Sequence, residues 1–132
     1  MNSLPLRLLP NSDLRRTLEA TLYERGSQAA FVIGGIGSLS QARLRLAGRT
    51  EPEVLSGDLE ILTLAGSISG DGAHLHMTVA DVTGRVIGGH VAHECLVRTT
   101  AEVLLVLLPE WSFSRELDSS TGFRELAVHE RR

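Results

Sequence analysis

The sequence predicts an α+β fold in which antiparallel β-structure dominates. Three observations support this prediction: leucines recur at helical spacing near the N-terminus, β-favouring segments separated by turn residues fill most of the rest, and one turn has hairpin chemistry. A length of 132 residues suits one hydrophobic core. We therefore expect a single domain that covers residues 1–132.

The first predicted element is a helix over residues 12–25. Asn11, Ser12 and Asp13 are residue types that cap helix N-termini, and Gly26 is a common stop after a last turn. Between them, leucines recur every four residues and would form the buried stripe: Leu14, Leu18 and Leu22. The arginines and glutamates on the other face are expected to be solvated.

Two strands separated by a tight turn are predicted next. Residues 29–33 are apolar and β-favouring, and residues 42–48, ARLRLAG, alternate arginine with leucine. The glycine cluster GGIGS, at 34–38, lies between them. A phosphate-binding glycine loop opens onto a helix, whereas here a strand-like segment follows. We therefore interpret the cluster as a tight turn.

The rest of the chain is predicted to consist mostly of strands. GDLEILTLAG (57–66) resembles a third strand that ends in the turn-rich SISGDG, HLHMTVAD (74–81) and GRVIGGHV (84–91) resemble a hairpin, and LVRTTAEVLLVLL (96–108) resembles a long buried strand. The tail, 115–132, is expected to be an irregular segment that returns to the body of the domain.

Composition limits the expected partners and compartment. The formal net charge is −3 and all 13 basic residues are arginine, and this acidic balance disfavours broad affinity for the phosphate backbone of DNA. Cys95 is the only cysteine, so no internal disulfide can form and a reducing compartment, by default the cytoplasm, is expected. No apolar run approaches the roughly 20 residues that cross a bilayer, so no membrane insertion is expected.

The predicted hairpin brings three of the five histidines to one side of the chain. Asp81 and Gly84 have the chemistry of a type I turn closed by a glycine bulge, and the resulting three-residue loop places His76 opposite His90. His74 shares the face of His76, because side chains alternate along a strand. The other face is apolar and suited to a core: Leu75, Met77, Val79, Ile87 and Val91.

Three histidines on one face suggest a metal site. Three neutral imidazoles with one open position hold zinc and related divalent metals in enzymes. We therefore predict a divalent-metal site at His74, His76 and His90, with zinc as one candidate. The alternative, held equally open, is three histidines that form hydrogen bonds or line a subunit interface without a metal. Glu60 and Glu102 are the predicted nearby carboxylates that would orient the ligands or activate water.

The remaining candidates for chemistry are predicted to be structural. His93 falls on the other face of its strand and His129 lies in the tail, so both are expected to be structural or solvated. Cys95 has no fixed base beside it and is expected to be a small core residue rather than a nucleophile.

The order of several motifs resembles the plants-and-prokaryotes conserved (PPC) domain in its free-standing bacterial form. The motifs are GSL, EILTLAGSIS, DGAHLHMTVADVTGRVIGGH, TTAEV and FSRELDSSTGFREL, and the resemblance runs from Arg7 to Leu126. The positions that carry it are Glu60, Gly66, His74, His76, Asp81, Gly84, Gly88, Gly89, His90 and Glu102. The resemblance implies an α+β fold with a central antiparallel β-sheet flanked by helices, and a homotrimer.

The same resemblance bears on metal and DNA binding. The PPC fold is similar to that of acetolactate decarboxylase, whose metal is held by histidines in a comparable order, and the three histidines occupy matching positions. The acidic and arginine partners in that enzyme do not map onto this sequence, so decarboxylation is not implied. In plants, PPC domains follow an Arg-Gly-Arg-Pro AT-hook that binds the minor groove of DNA. These 132 residues contain no such motif, and the nearest stretch is Gly48, Arg49 and Thr50.

Three functions remain open from the sequence. The first is a homotrimer whose three histidines bind a divalent metal, with a small carboxylate as the ligand or with an unassigned lyase or hydrolase activity. The second is a DNA-binding or transcription-associated protein, which the charge and the missing AT-hook disfavour. The third is a structural trimer or partner-binding scaffold without a metal.

Overall fold

Eight strands and one helix make up residues 2–131, the part of the chain that this computed structural model describes. In chain order they are β1 (Ser3–Leu8), α1 (Leu14–Glu24), β2 (Ala29–Arg45), β3 (Glu53–Ser69), β4 (Gly72–Ala80), β5 (Val86–Val91), β6 (Leu96–Leu107), β7 (Trp111–Leu117) and β8 (Arg124–Glu130). The predicted α+β class with a central antiparallel sheet is confirmed. The implied flanking by helices is reduced to α1, since residues 2–131 contain no other helix.

Six strands form one antiparallel sheet in the order β1-β6-β2-β3-β4-β5. The end of β2 also pairs with β5, through Leu44 opposite Val91 and Arg45 opposite His90. Strands β2 to β5 therefore close into a ring around part of the core, while β6 and β1 extend the sheet from the edge of β2 opposite β3, which is also the edge that meets β5. This closure joins positions 45 residues apart in the chain and places Arg45 beside His90.

Helix α1 covers one side of the hydrophobic core. The Asp13 carboxylate accepts a hydrogen bond from the backbone N–H of Arg16 at 3.1 Å, so the helix begins just after this cap, two residues later than predicted. Its three leucines are buried as predicted, and burying each one stabilises the fold by roughly 1.5–3 kcal/mol. Within residues 2–131, no helix has the length and apolar character needed to cross a bilayer.

The glycine cluster at 34–38 is not a turn, so that prediction is wrong. These residues continue β2, which joins the two strands predicted on either side of the cluster. The pairing of β2 with β6 shifts register within the cluster, as at a β-bulge. Gly37 has a φ of 151°, and a Cβ there would lie 2.6 Å from the Cα of Ala101. The glycine thus permits two backbones to approach closely inside the sheet rather than reversing the chain.

The tail is a hairpin rather than the irregular segment predicted. Strands β7 and β8 pair along their length as a separate two-stranded sheet. At its turn the Asp118 carboxylate accepts from the backbone N–H of Ser120 at 2.8 Å. The hairpin packs on the large sheet through Phe113, which is buried and meets the ring of Phe31 edge-on, with ring centroids 5.7 Å apart.

Candidate metal centre

The hairpin between β4 and β5 has the predicted register. The backbone N–H of Gly84 donates to the carbonyl of Asp81 at 3.0 Å, and the Asp81 N–H donates to the carbonyl of Arg85 at the same distance. His76 consequently lies directly opposite His90. The predicted register is thus confirmed. It could be predicted because the turn chemistry determines which residues of the two strands face each other.

The three histidines form one compact cluster. Each offers a ligand nitrogen, and these nitrogens all lie within 4.8 Å of one another. The ring of His76 is nearly perpendicular to the other two, with centroids 4.6 Å from His90 and 5.0 Å from His74. Two nitrogens bound to a tetrahedral zinc lie about 3.4 Å apart, given Zn–N bonds of about 2.0–2.1 Å. Small rotations of the rings would therefore bring the nitrogens to bonding distance.

A backbone carbonyl orients the His90 ring. Nδ1 of His90 lies 3.2 Å from the carbonyl oxygen of Arg45, so this nitrogen carries the proton and donates it. Nε2 then keeps a free lone pair, as in metal sites where the second ring nitrogen bonds to a carbonyl. Gly89 permits this contact, because a Cβ at that position would lie 2.8 Å from the same Arg45 oxygen.

The surroundings keep two of the rings neutral. Partial burial is the largest cause that lowers the pKa of His74 to about 4, and the Arg115 guanidinium is the next. Partial burial also lowers the pKa of His76, with His90 and Arg45 acting in the same direction. Both rings are therefore neutral near pH 7, which is the form of imidazole that binds a metal.

The two predicted carboxylates lie outside this cluster. Glu60 is exposed and faces Ala80, four residues along β4 from His76, or about 13 Å at the usual rise of a strand. Glu102 is exposed on β6, opposite Ile36 of β2. Neither is among the groups that could hold a metal with the histidines. Their role stays a prediction that no contact in residues 2–131 supports.

An arginine-rich cavity, which sequence reasoning missed, opens beside the histidines. Its volume is about 820 Å³, and His74 and His90 form part of its wall. Four arginines also line it: Arg15, Arg45, Arg115 and Arg124. The last two lie in the tail, where the sequence predicted no regular structure. The leucine–arginine alternation near Arg45 indicated a strand but not what that strand would face.

An apolar cavity of about 720 Å³ lies on the other side of the cluster, with His76 and His90 at its edge. Its wall includes Ile33 and Ile36 of β2 and Leu62 of β3, which are all about half exposed. The cluster therefore separates a charged surface from an apolar one.

The other reactive side chains have structural contacts, as predicted. His93 Nε2 lies 2.9 Å from a carboxylate oxygen of Glu19 on α1, and His129 lies 3.1 Å from the carboxylate of Glu116. Cys95 is fully buried in the core, and this burial raises the pKa of its thiol to about 11. Such a thiol is protonated and unreactive near pH 7.

Glu19 attaches α1 to the sheet, and Glu19→Ala is expected to lower the free energy of unfolding by about 2 kcal/mol at pH 7. Burial alone would raise the pKa of this carboxyl, but hydrogen bonds from His93 and from the backbone N–H of Ala73, with Arg15 nearby, lower it below 4.5. Because the folded pKa is depressed, the stabilisation is present above pH 4.5 and is lost as the pH falls through the folded value. Urea unfolding from pH 7 to pH 3 should therefore show the two proteins converging in acid. A constant difference would contradict this role.

Comparison with known proteins identifies the family. Residues 1–109 match the family described as the Plants and Prokaryotes Conserved (PCC) domain. The chain belongs to this family. The resemblance to the PPC domain, which is the same family, is thus confirmed, and the β7–β8 hairpin lies beyond the matched residues.

The curated relatives of this PCC domain are longer proteins. The bifunctional protein GlmU of Synechococcus sp. strain JA-2-3B'a(2-13) is 51% identical over 124 residues, which are 94% of this chain and 20% of that protein. GlmU of Synechococcus sp. strain JA-3-3Ab is 52% identical over the same length. The chain therefore spans about a fifth of the length of the curated relatives it matches.

Solved structures share the fold of this PCC domain. A hypothetical protein from Salmonella cholerae-suis is 36% identical with a TM-score of 0.95, over 98% of this chain and 94% of that one. A metal-containing protein from Archaeoglobus fulgidus is 28% identical with a TM-score of 0.83, over 96% of this chain and 94% of that one. More distant chains from Bacteroides thetaiotaomicron and Ralstonia eutropha, 22% and 24% identical, carry provisional DNA-binding names and share the fold alone.

Proposed function

We propose that His74, His76 and His90 bind one divalent metal ion, with zinc as the first candidate. The observation that carries this proposal is the convergence of three ligand nitrogens within 4.8 Å on a hairpin of fixed register. Imidazole is a preferred ligand of zinc, and two of the three rings are held in the neutral form that binding needs. The metal-containing relative with the same fold adds support.

Three protein ligands would leave one coordination position for water or a ligand oxygen. A zinc ion so held polarises the oxygen bound to it and lowers the pKa of a bound water. In this chain the remaining groups act around that position: the Arg45 carbonyl orients His90, and the arginine-rich cavity gives access from solvent. The PCC domain would thus provide a metal-dependent binding site for a small molecule.

We further propose that the domain is a homotrimer, as the family resemblance implies, and that it resides in the cytoplasm, as the single cysteine suggests. Strands β2, β3 and β6 carry several apolar side chains that are each more than a third exposed: Phe31, Ile33, Ile36, Leu62 and Leu104. An exposed apolar surface of this kind marks a site of protein association. Contact between subunits there would also cover the apolar cavity next to His76 and His90.

DNA binding has weaker support. The two structures with DNA-binding names share the fold alone. A net charge of −3 also disfavours non-specific binding to the phosphate backbone of DNA. A gel-shift titration at low salt without retardation would exclude this candidate.

Metal content tests the proposal directly. Protein purified without a histidine tag and dialysed against zinc should hold about one ion per chain, whereas His76→Ala should lose at least about a hundredfold in affinity, since changes that merely disturb a ligand already cost 10–100-fold. His129→Ala is the matched control, because its ring pairs with Glu116 outside the cluster. Light scattering on the same samples should give three times the chain mass of 14.3 kDa. Equal metal in His76→Ala and the unmodified protein would reject the site, and a metal-free trimer would support the scaffold instead.

A further inference from the structure

We propose that the arginine-rich cavity binds a small organic carboxylate through Arg45 and Arg115, directly beside the three histidines. This inference rests on the proposed metal site and names the class of ligand that the site would take. It concerns the cavity of about 820 Å³ lined by residues of α1, β2, β4, β5 and the β7–β8 hairpin. This volume is typical of sites for small molecules, which range over about 300–1,000 Å³.

The position of the two arginines is set by strand pairing. Arg45 lies directly opposite His90 in the pairing of β2 with β5. Nη2 of Arg115 donates to the hydroxyl of Ser67 at 3.1 Å, and Ser67 lies directly opposite His74 in the pairing of β3 with β4. Arg45 is therefore one strand spacing, about 5 Å, from His90. Arg115 reaches the neighbourhood of His74 through its hydrogen bond to Ser67. A ligand that touches both guanidinium groups would also lie beside the proposed metal.

These arginines have hydrogen-bond donors to spare. Among residues 2–131, Arg45, Arg115 and Arg124 form no ion pair, and their guanidinium groups donate only to neutral oxygens: the carbonyl of Arg49, the hydroxyl of Ser67 and the carbonyl of Arg115. A guanidinium group has five N–H donors. Each of the three therefore keeps unused donors, and none of them has a carboxylate at ion-pair distance within residues 2–131.

The cavity is positive in a protein that is negative as a whole. Four arginines line it against two carboxylates, Asp71 and Glu125. Arg15 is already paired with Glu19 at 3.3 Å, so three arginines face the two carboxylates, whereas the net charge of the chain is −3. The Asp71 carboxylate already accepts a hydrogen bond from the backbone N–H of Arg115 at 2.9 Å. A concentration of positive charge in a concave site raises the local concentration of anions.

A carboxylate fits this arrangement better than a polyanion. The planar fork of arginine matches a carboxylate in two parallel hydrogen bonds. The two acidic side chains in the wall repel a ligand of high negative charge, such as a nucleic acid backbone. Phe123 also lines the wall with an exposed aromatic side chain, which suits the carbon skeleton of an organic acid.

Calorimetric titration of the zinc-loaded protein with lactate tests this inference, with the uncharged lactamide as the matched ligand. We expect lactate to bind at least about tenfold more tightly than lactamide, since a charged pair of hydrogen bonds is lost in the amide. Arg45→Gln and Arg115→Gln should each lower the affinity for lactate by about tenfold or more. Arg85→Gln, on the exposed hairpin turn, should leave lactate affinity unchanged. The two arginines lie on different strands, and circular dichroism of each variant should show an unchanged fold. A loss of lactate affinity in both folded variants would then not be explained by a local folding defect.

Zinc content measured on the same samples separates the two proposals. If the unmodified protein holds no zinc, the proposed function fails. If it holds zinc but does not bind lactate, or binds lactate equally well in both arginine variants, this inference alone is overturned. Inorganic phosphate is the third probe, and binding of phosphate without lactate would overturn the choice of a carboxylate.

Discussion

Replacement of Gly66 by alanine is expected to lower the free energy of unfolding by about 3 kcal/mol or more, through backbone strain and overpacking together. Gly66 lies on β3 opposite Leu75, with a φ of 150° that side chains rarely adopt. A Cβ there would overlap the carbonyl of His74 and lie 2.7 Å from the Cα of Leu75. Both neighbours are backbone atoms of a paired strand, so neither can move aside as a flexible side chain would.

Urea unfolding measures this loss, and Gly70→Ala is the matched control. Gly70 lies at the turn between β3 and β4, where a new Cβ would meet no atom within 4 Å, so we expect a change within about 0.5 kcal/mol. Because the clash falls on the carbonyl of His74, Gly66→Ala should also weaken metal binding in any fraction that stays folded. A stability equal to that of the unmodified protein would show that β3 and β4 are less tightly paired than the structure indicates.

Zinc is expected to raise the midpoint of thermal unfolding by about 10 °C. A ligand present at a hundred times its dissociation constant adds about 2.7 kcal/mol when it binds only the folded state. For a domain of this size, each kcal/mol shifts the midpoint by about 4 °C. The effect arises because the three nitrogens converge only when β4 and β5 are paired.

Thermal unfolding with and without zinc should distinguish a specific site from loose association with exposed histidines. His76→Ala should show no shift, while His129→Ala should match the unmodified protein, since His129 lies outside the cluster. If zinc raised the thermal midpoint equally in the unmodified protein and in both variants, the effect would come from non-specific zinc binding. That result would count against the proposed metal centre.

The histidine cluster and helix α1 could be predicted because their causes are local. The turn at Asp81 and Gly84 fixes the register over the next few residue pairs, so the sequence was enough to place His76 opposite His90. Likewise, Asp13 caps a helix whose leucines recur within eleven residues. In both cases the residues that decide the structure are neighbours in the chain.

The continuity of β2 and the arginine cavity could not be predicted in this way. Glycines at 34–38 are typical of a turn, and only their pairing with β6 on one side and β3 on the other makes them part of a strand. The short and partly exposed strands β7 and β8 give a weak pattern, so the sequence predicts no regular structure around Arg115.

By itself, the sequence determined the helix, the hairpin and the shared face of His74, His76 and His90. Only the tertiary structure decided that β2 closes against β5, which supplies the Arg45 carbonyl to His90, and that the last hairpin carries Arg115 to the same cavity. The physical reason is the range of the interactions. Capping, turn geometry and side-chain alternation act over a few residues, whereas pairing between distant strands depends on how the whole core packs.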